Sequence, residues 1–143
     1  MSYPQKVFFE KDFKMNEKQY KGRLGEDAVC CELAKRGHTI ITRNYHKRTG
    51  EIDIISSVDD YIVFTEVKTR KLGSMVSGLE AVDFKKQAKI IRTSDIYLTE
   101  NPCGRWVRYD VAEVWLTRGT YPEIVRIDIC ENAFTADGIY TVN

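Results

Sequence analysis

Gly50-Glu51-Ile52-Asp53-Ile54-Ile55-Ser56-Ser57-Val58-Asp59-Asp60-Tyr61-Ile62-Val63-Phe64-Thr65-Glu66-Val67-Lys68 is the stretch that decides the fold. Two runs rich in β-branched and aromatic residues, Glu51–Ser56 and Tyr61–Lys68, flank the polar pair Asp59-Asp60, the pattern of a β-hairpin with a two-residue turn. If those two residues form the loop, Val58 pairs with Tyr61, each further pair follows by one residue, and Asp53 stands opposite Glu66. Side chains alternate along a strand, so Glu66 and Lys68 share a face, roughly 6–7 Å apart, and this register adds Asp53 to that side. Carboxylates opposed across a ladder repel, and a divalent cation would offset the repulsion. Hard cations take oxygen ligands: Asp53, Glu66 and the backbone carbonyl of Val67 offer three. Lys68 would add an ammonium able to stabilise charge developing on a phosphate. An acid-x-base triplet by itself is most often a solvated ion pair, but the apolar Ile62 and Phe64 beside it make a wholly solvated face hard to sustain.

Upstream, His38 to Tyr45 reads as a strand, followed by the turn Lys47-Arg48-Thr49-Gly50. Asn16 to Arg36 favours a helix, with Leu24, Ala28 and Cys31 on one stripe and Gly37 as its stop. Val29, Cys30 and Leu33 lie three, four and seven residues after Glu26, which places that carboxylate on the apolar side or its rim. Downstream, Ser77-Gly78-Leu79-Glu80 has capping-box spacing and predicts a helix to about Leu98. Ala81, Phe84, Ala88, Ile91 and Leu98 would form its apolar face, and Lys85, Lys89 and Arg92 a basic stripe. Asn101-Pro102-Cys103-Gly104 breaks that helix, and strands are expected over Arg105–Leu116 and Glu123–Cys130. The order αβββαββ predicts an α/β or α+β fold, a mixed β-sheet flanked by helices. Residues 1–15 read as a loosely ordered extension, 16–135 as one domain and 136–143 as a tail.

With 143 residues, 43% hydrophobic and 30% charged, the chain has the composition of an ordinary globular domain able to hold a core without disulfides. Cys30 and Cys31 are neighbours and Cys103 and Cys130 isolated, so no C-x-x-C pair suggests zinc, and small core residues are the expected role. His38 and His46 have no ligand spacing to them. No apolar run approaches a membrane span and the N-terminal residues lack a signal-peptide core, so a cytoplasmic location and no membrane partner are expected. Net charge is +1, yet residues 1–92 hold 18 basic against 13 acidic side chains and residues 93–143 hold 4 against 8. One part of the chain is electropositive; on charge alone the plain reading is a pair of solvated faces, and the other is that Lys47, Arg48, Arg70, Lys71, Lys85, Lys89 and Arg92 meet a phosphate backbone.

Asp53, twelve intervening residues, then Glu66-Val67-Lys68, preceded by Glu26 on a helix, resembles the PD-(D/E)xK nuclease core, particularly its archaeal Holliday-junction resolvase branch. Gly22-Arg23-Leu24-Gly25-Glu26, Arg43-Asn44-Tyr45, Gly50 to Ile55, Val63 to Arg70, Ala81-Val82, Arg108-Tyr109-Asp110-Val111 and Asn132-Ala133-Phe134 look like the YraN-like family of small bacterial proteins placed with that superfamily. The resemblance covers about residues 16–135. It implies a restriction-endonuclease-like core and a metal-dependent endonuclease using Mg²⁺ or Mn²⁺, acting on DNA, branched DNA included, and working as a homodimer. Asp53, Glu66 and the Val67 carbonyl would be metal ligands, Lys68 the catalytic lysine, and Glu26 the helix acid that completes or assists the site. Ile52 stands where the motif carries proline, and His46 where the family often has arginine. The alternative is a non-catalytic nucleic-acid-binding or accessory protein on the same fold.

Overall fold

In a computed structural model, residues 15–74 and 82–137 are described. The expected extension up to residue 14, the Ser77–Glu80 capping box, Ala81 and the tail from residue 138 lie outside them. Seven elements follow the predicted order: α1 (Glu17–Lys35), β1 (Thr39–Lys47), β2 (Gly50–Val58), β3 (Tyr61–Lys71), α2 (Phe84–Glu100), β4 (Trp106–Leu116) and β5 (Ile124–Phe134). The five strands form one sheet in sequence order. β3 and β4 run parallel, with α2 in the connection between them, and the other neighbours are antiparallel. The result is a mixed-sheet α+β fold consistent with a restriction-endonuclease-like core. No helix among the described residues is long and apolar enough to cross a membrane.

The hairpin register is the one the two-residue turn requires, running from Val58–Tyr61 to Ile54–Thr65. Beyond that pair β2 and β3 part. α1 starts at a capping box in which the Asn16 side chain accepts from the Gln19 backbone and Gln19 reaches back to Asn16 N–H. It ends at Gly37, whose φ of +91° allows His38 N to reach Leu33 O and Gly37 N to reach Ala34 O. Val29 and Leu33 bury this helix against Ile54, Ala112, Val114 and Leu116 on one face of the sheet. On the other face Ile90, Ile91 and Tyr97 of α2 pack on Ile52, Ile55, Phe64, Tyr109 and Val111.

Four expectations need correction. Val82 and Asp83 are not helical; Asp83 caps α2 by accepting from Lys86 N, so this helix starts at Phe84. Its buried stripe is Ala88, Ile90, Ile91, Thr93, Ser94 and Tyr97, while Phe84, in the first turn, is 58% exposed. On α1 the buried stripe is Lys21, Gly25, Ala28, Val29 and Leu33, one residue around from Cys31, which is exposed. Cys103 is exposed as well and Cys30 and Cys130 are half-buried, so none of the four is a fully enclosed core residue.

The Arg108–Val111 and Asn132–Phe134 blocks have structural work. Asp110 is fully buried and accepts from Arg108 Nε (3.0 Å) and Nη2 (2.9 Å) and from Asn132 N (2.9 Å). Asn132 has a φ of +51° at the point where the β4–β5 register shifts, so this carboxylate pins the irregularity. Tyr109 and Phe134 stack at 5.1 Å, and Phe64 and Tyr97 continue the aromatic contacts to Tyr45 on β1.

Gly25 sets how closely α1 approaches the sheet. A Cβ there would overlap the Thr69 Cγ2 methyl and touch Val67 and Val114, whereas one at Gly22 would meet nothing within 4 Å. Gly25→Ala should therefore lose about 1–3 kcal/mol of stability through overpacking. Gly22→Ala should be neutral or gain up to about 1 kcal/mol of helix propensity. Urea unfolding of both variants checks this; equal midpoints would contradict the close approach.

Candidate functional site

The sheet opens where β2 and β3 part, and Asp53 fills the opening. Its Oδ2 accepts from Val67 N at 2.8 Å, a side-chain bond made just past the last backbone pair of the ladder. Regular alternation fails here: Ile52 packs in the α2-side core and Ile54 in the α1-side core, with Asp53 between them. Across on β1, Asn44 adopts a φ of +51°, a left-handed conformation that asparagine tolerates. It lies between the pairs Arg43–Ile54 and Tyr45–Ile52, opposite Asp53.

Glu66, at the next α2-facing position of β3 after Phe64, is only 5% exposed in its side chain. Its Oε1 lies 3.2 Å from Lys68 Nζ and 3.7 Å from Lys86 Nζ. Its Oε2 is buried without a hydrogen-bond partner. Burial first, then the neighbouring Glu66 charge, pushes the Asp53 carboxyl up to about 8, against the Val67 N–H bond that favours its ionised form. Two carboxylates are thus held together where the strands part, Glu66 buried and Asp53 half-buried, with Glu66 Oε2 accepting no hydrogen bond. That is a donor set a hard divalent cation fits, since such ions take one or two carboxylates and complete their shell with water and phosphate oxygens.

Glu26 approaches from α1. Burial raises its carboxyl above the ordinary range, while a hydrogen bond with the Asn44 side chain and the charge of Arg43 act the other way. It is among the charges Asp53 senses. Arg43 Nη2 lies 3.7 Å from Glu26 and 2.7 Å from Asp27, so the Arg43-Asn44 pair ties α1 to the rim of the opening. Among the described residues no set of three His, Cys, Asp or Glu side chains is gathered tightly enough to hold an ion by itself. Asp53 and Glu66 are a pair, and Glu26 stands behind them.

Lys86 is the site residue that the sequence analysis missed. It lies four, seven and eleven residues before Ile90, Thr93 and Tyr97, a helical stripe that would have aimed it at the sheet. The anticipated basic stripe points elsewhere: Lys85, Lys89 and Arg92 are all exposed. Lys47 pairs with Glu100 at 2.9 Å and lies over the Tyr45 ring, which ties it to α2. Arg48 is exposed at the turn, and Arg70 and Lys71 lie at the end of β3. His38 is buried with Nδ1 2.8 Å from Ser56 Oγ, and His46 lies 3.4 Å from Glu51 at the surface; neither belongs to the acidic pair.

Residues 25–130 match the family described as "Uncharacterised protein family UPF0102". A UPF0102 protein of Alkaliphilus oremlandii (strain OhILAs) is 44% identical over 116 residues, covering 79% of this chain and 96% of its own. A UPF0102 protein of Desulforapulum autotrophicum is 40% identical over 123 residues, covering 85% and 98%. One from Pseudomonas paraeruginosa is 32% identical over 120 residues, covering 81% and 93%.

The raised Asp53 value gives a pH signature. An acid that binds its proton more tightly when folded lends stability that is fully present below its unfolded value near 4 and lost as pH rises through about 8. In EDTA the melting temperature of the wild type should therefore fall from pH 5 to pH 8 relative to Asp53→Asn, whose amide oxygen still accepts from Val67 N. Parallel curves for the two proteins would contradict the enforced carboxylate pair.

Proposed function

We propose that this chain, which belongs to the uncharacterised protein family UPF0102, is a metal-dependent endonuclease that hydrolyses phosphodiester bonds of DNA, branched or structured DNA included. The observation that carries this reading is the half-buried Asp53 beside the buried Glu66, with Glu66 Oε2 unpartnered and Oε1 shared by two lysines. Asp53, Glu66 and the Val67 carbonyl are the groups that would hold Mg²⁺ or Mn²⁺, with Glu26 assisting from α1. The bound ion would supply Lewis-acid polarisation and charge relief at the scissile phosphate.

The chain's own residues do the rest. Lys68, already within 3.2 Å of Glu66, keeps an ammonium at the mouth of the opening, where it meets negative charge accumulating on phosphate oxygens. Lys86 offers a second ammonium from the first turn of α2, 3.7 Å from the same oxygen. The Asn44 side chain stands beside Glu26 and works against the rise that burial gives its carboxyl. The Val67 N–H holds one Asp53 oxygen and so orients the other. The exposed cations Arg48, Lys85, Lys89 and Arg92, with Arg70 and Lys71 beyond the opening, would guide the phosphate backbone.

A cleavage screen over linear, flapped and four-way DNA with Mg²⁺ or Mn²⁺ tests the proposal. The wild type should cut at least one substrate, and Lys68→Ala should lower the rate roughly 100- to 1,000-fold with binding changed only a few-fold, because its contribution falls mainly in the transition state. DNA that is bound tightly and never cut, with either metal, would replace the enzyme reading by that of a nucleic-acid-binding accessory protein.

A further inference from the structure

Beyond Lys68, β3 continues to Lys71 and turns through Leu72-Gly73, and here Arg70 and Lys71, named above only as guiding cations, meet Arg118 from another part of the chain. A depression of about 410 Å³, open to solvent, is lined by Thr69, Arg70, Lys71, Ser74 and Arg118. Three of the five are cationic and none is acidic.

The depression is built from backbone as well as side chains. Ser74 N bonds to Lys71 O (3.1 Å), closing the turn, and Leu72 N bonds to Leu116 O (2.9 Å), tying it to the end of β4. Arg118, from the β4–β5 connection, donates Nε to Leu72 O at 3.0 Å, which fixes the plane of its guanidinium. Gly73, at a φ of +82°, leaves that group its room: a Cβ there would come within 2.9 Å of Arg118 Nη2. Arg70 Nε and Nη2 are buried without a hydrogen-bond partner. Buried donors left unpaired cost free energy that an acceptor would recover. A pre-oriented guanidinium, a second one with unmet donors and a flanking ammonium suit an anion carrying several acceptor oxygens, for which arginine forks are matched. Of the acids on adjoining elements, Glu17 of α1 is bonded to Lys21 and also senses Lys71, and Glu113 of β4 stands in register with Lys68, two residues before the partner of Arg70.

Arg70 follows Lys68 by two residues on the same face of β3, roughly 6–7 Å along the strand. We propose that this depression is a phosphate subsite, in which Arg70 and Arg118 hold a backbone phosphate of the polynucleotide strand next to the one processed at Asp53, Glu66 and Lys68. The assignment rests on the nuclease reading for the identity of the anion. It goes beyond that reading through Arg118, which belongs to the β4–β5 connection and not to the helices or the strands that carry the carboxylate pair.

The test measures binding and cutting separately. Fluorescence anisotropy of labelled single-stranded and duplex DNA, with Ca²⁺ in place of Mg²⁺, is recorded against salt for the wild type, Arg118→Ala, Arg118→Lys and Arg70→Ala. Melting temperatures confirm that each variant folds, and Arg118, being exposed, keeps the test open should Arg70→Ala unfold. The expected result is an affinity about tenfold weaker at low salt for Arg118→Ala, consistent with loss of a charge-assisted bond. Its salt slope should also be smaller by about 0.7–0.9, one phosphate contact, with Arg118→Lys in between. Calorimetry with inorganic phosphate separates a free ion from a polynucleotide: phosphate that binds through Arg118 while DNA does not bind overturns the polynucleotide as occupant. Arg118→Ala that binds and cuts DNA like the wild type overturns the subsite and leaves the nuclease reading standing. DNA held through Arg118 but never cut upholds the subsite while the nuclease reading fails.

Discussion

Holding a half-buried carboxylate beside a buried one is unfavourable, and the architecture is arranged around that cost. Asp53 and Glu66 are forced together because β2 and β3 pair only as far as Ile54–Thr65 and then part. The Val67 N–H compensates Asp53 on one side, and the ammoniums of Lys68 and Lys86 compensate Glu66 on the other. Removing one partner of a buried charge leaves the other exposed to the full desolvation penalty, so these groups are mutually dependent. α1 and α2 bracket the opening from opposite faces of the sheet. Gly25 brings α1 close enough for Glu26 to be felt by Asp53, and the Asp83 cap begins α2 where Lys86 reaches Glu66.

Much of this was legible because one short turn left little freedom. With only Asp59 and Asp60 in the loop, the pairing of Val58 with Tyr61 settles each later pair, and the hairpin carried its register as far as the opening. Alternation beyond Ile54 was not legible, since the break at Asp53 arises from strands separating, and no local pattern announces that. The helices were read less well. Phe84 and Cys31 are apolar residues at plausible spacings that nothing in the sheet covers, and choosing them rotated each predicted face. Rotating the α2 face by that amount hid Lys86, which a stripe anchored on Ile90 and Tyr97 would have aimed at Glu66.

Family-like blocks and chemistry also diverged. Arg108 to Val111 and Asn132 to Phe134 contributed to the recognition of the family, yet their polar groups are spent on one another, with Asp110 satisfying Arg108 and the bulged Asn132. Lys47, counted among the phosphate-binding candidates, is engaged by Glu100 and Tyr45. Arg70, with buried donors unmet, and Arg118, with its guanidinium held by Leu72 O, meet instead at the end of β3. Charge counting could not make that distinction, because it depends on which cations already have partners.

The central claim is that Asp53 and Glu66 act as a cation site at the parting of β2 and β3. A titration with Mn²⁺ followed by paramagnetic broadening of backbone amide signals tests it without any substrate. The account predicts that the amides of Asp53, Val67 and Lys68 broaden first and saturably, and that Glu66→Gln weakens the effect by at least about tenfold, the loss of one charged ligand. Broadening that begins elsewhere, or is unchanged in Glu66→Gln, would contradict it.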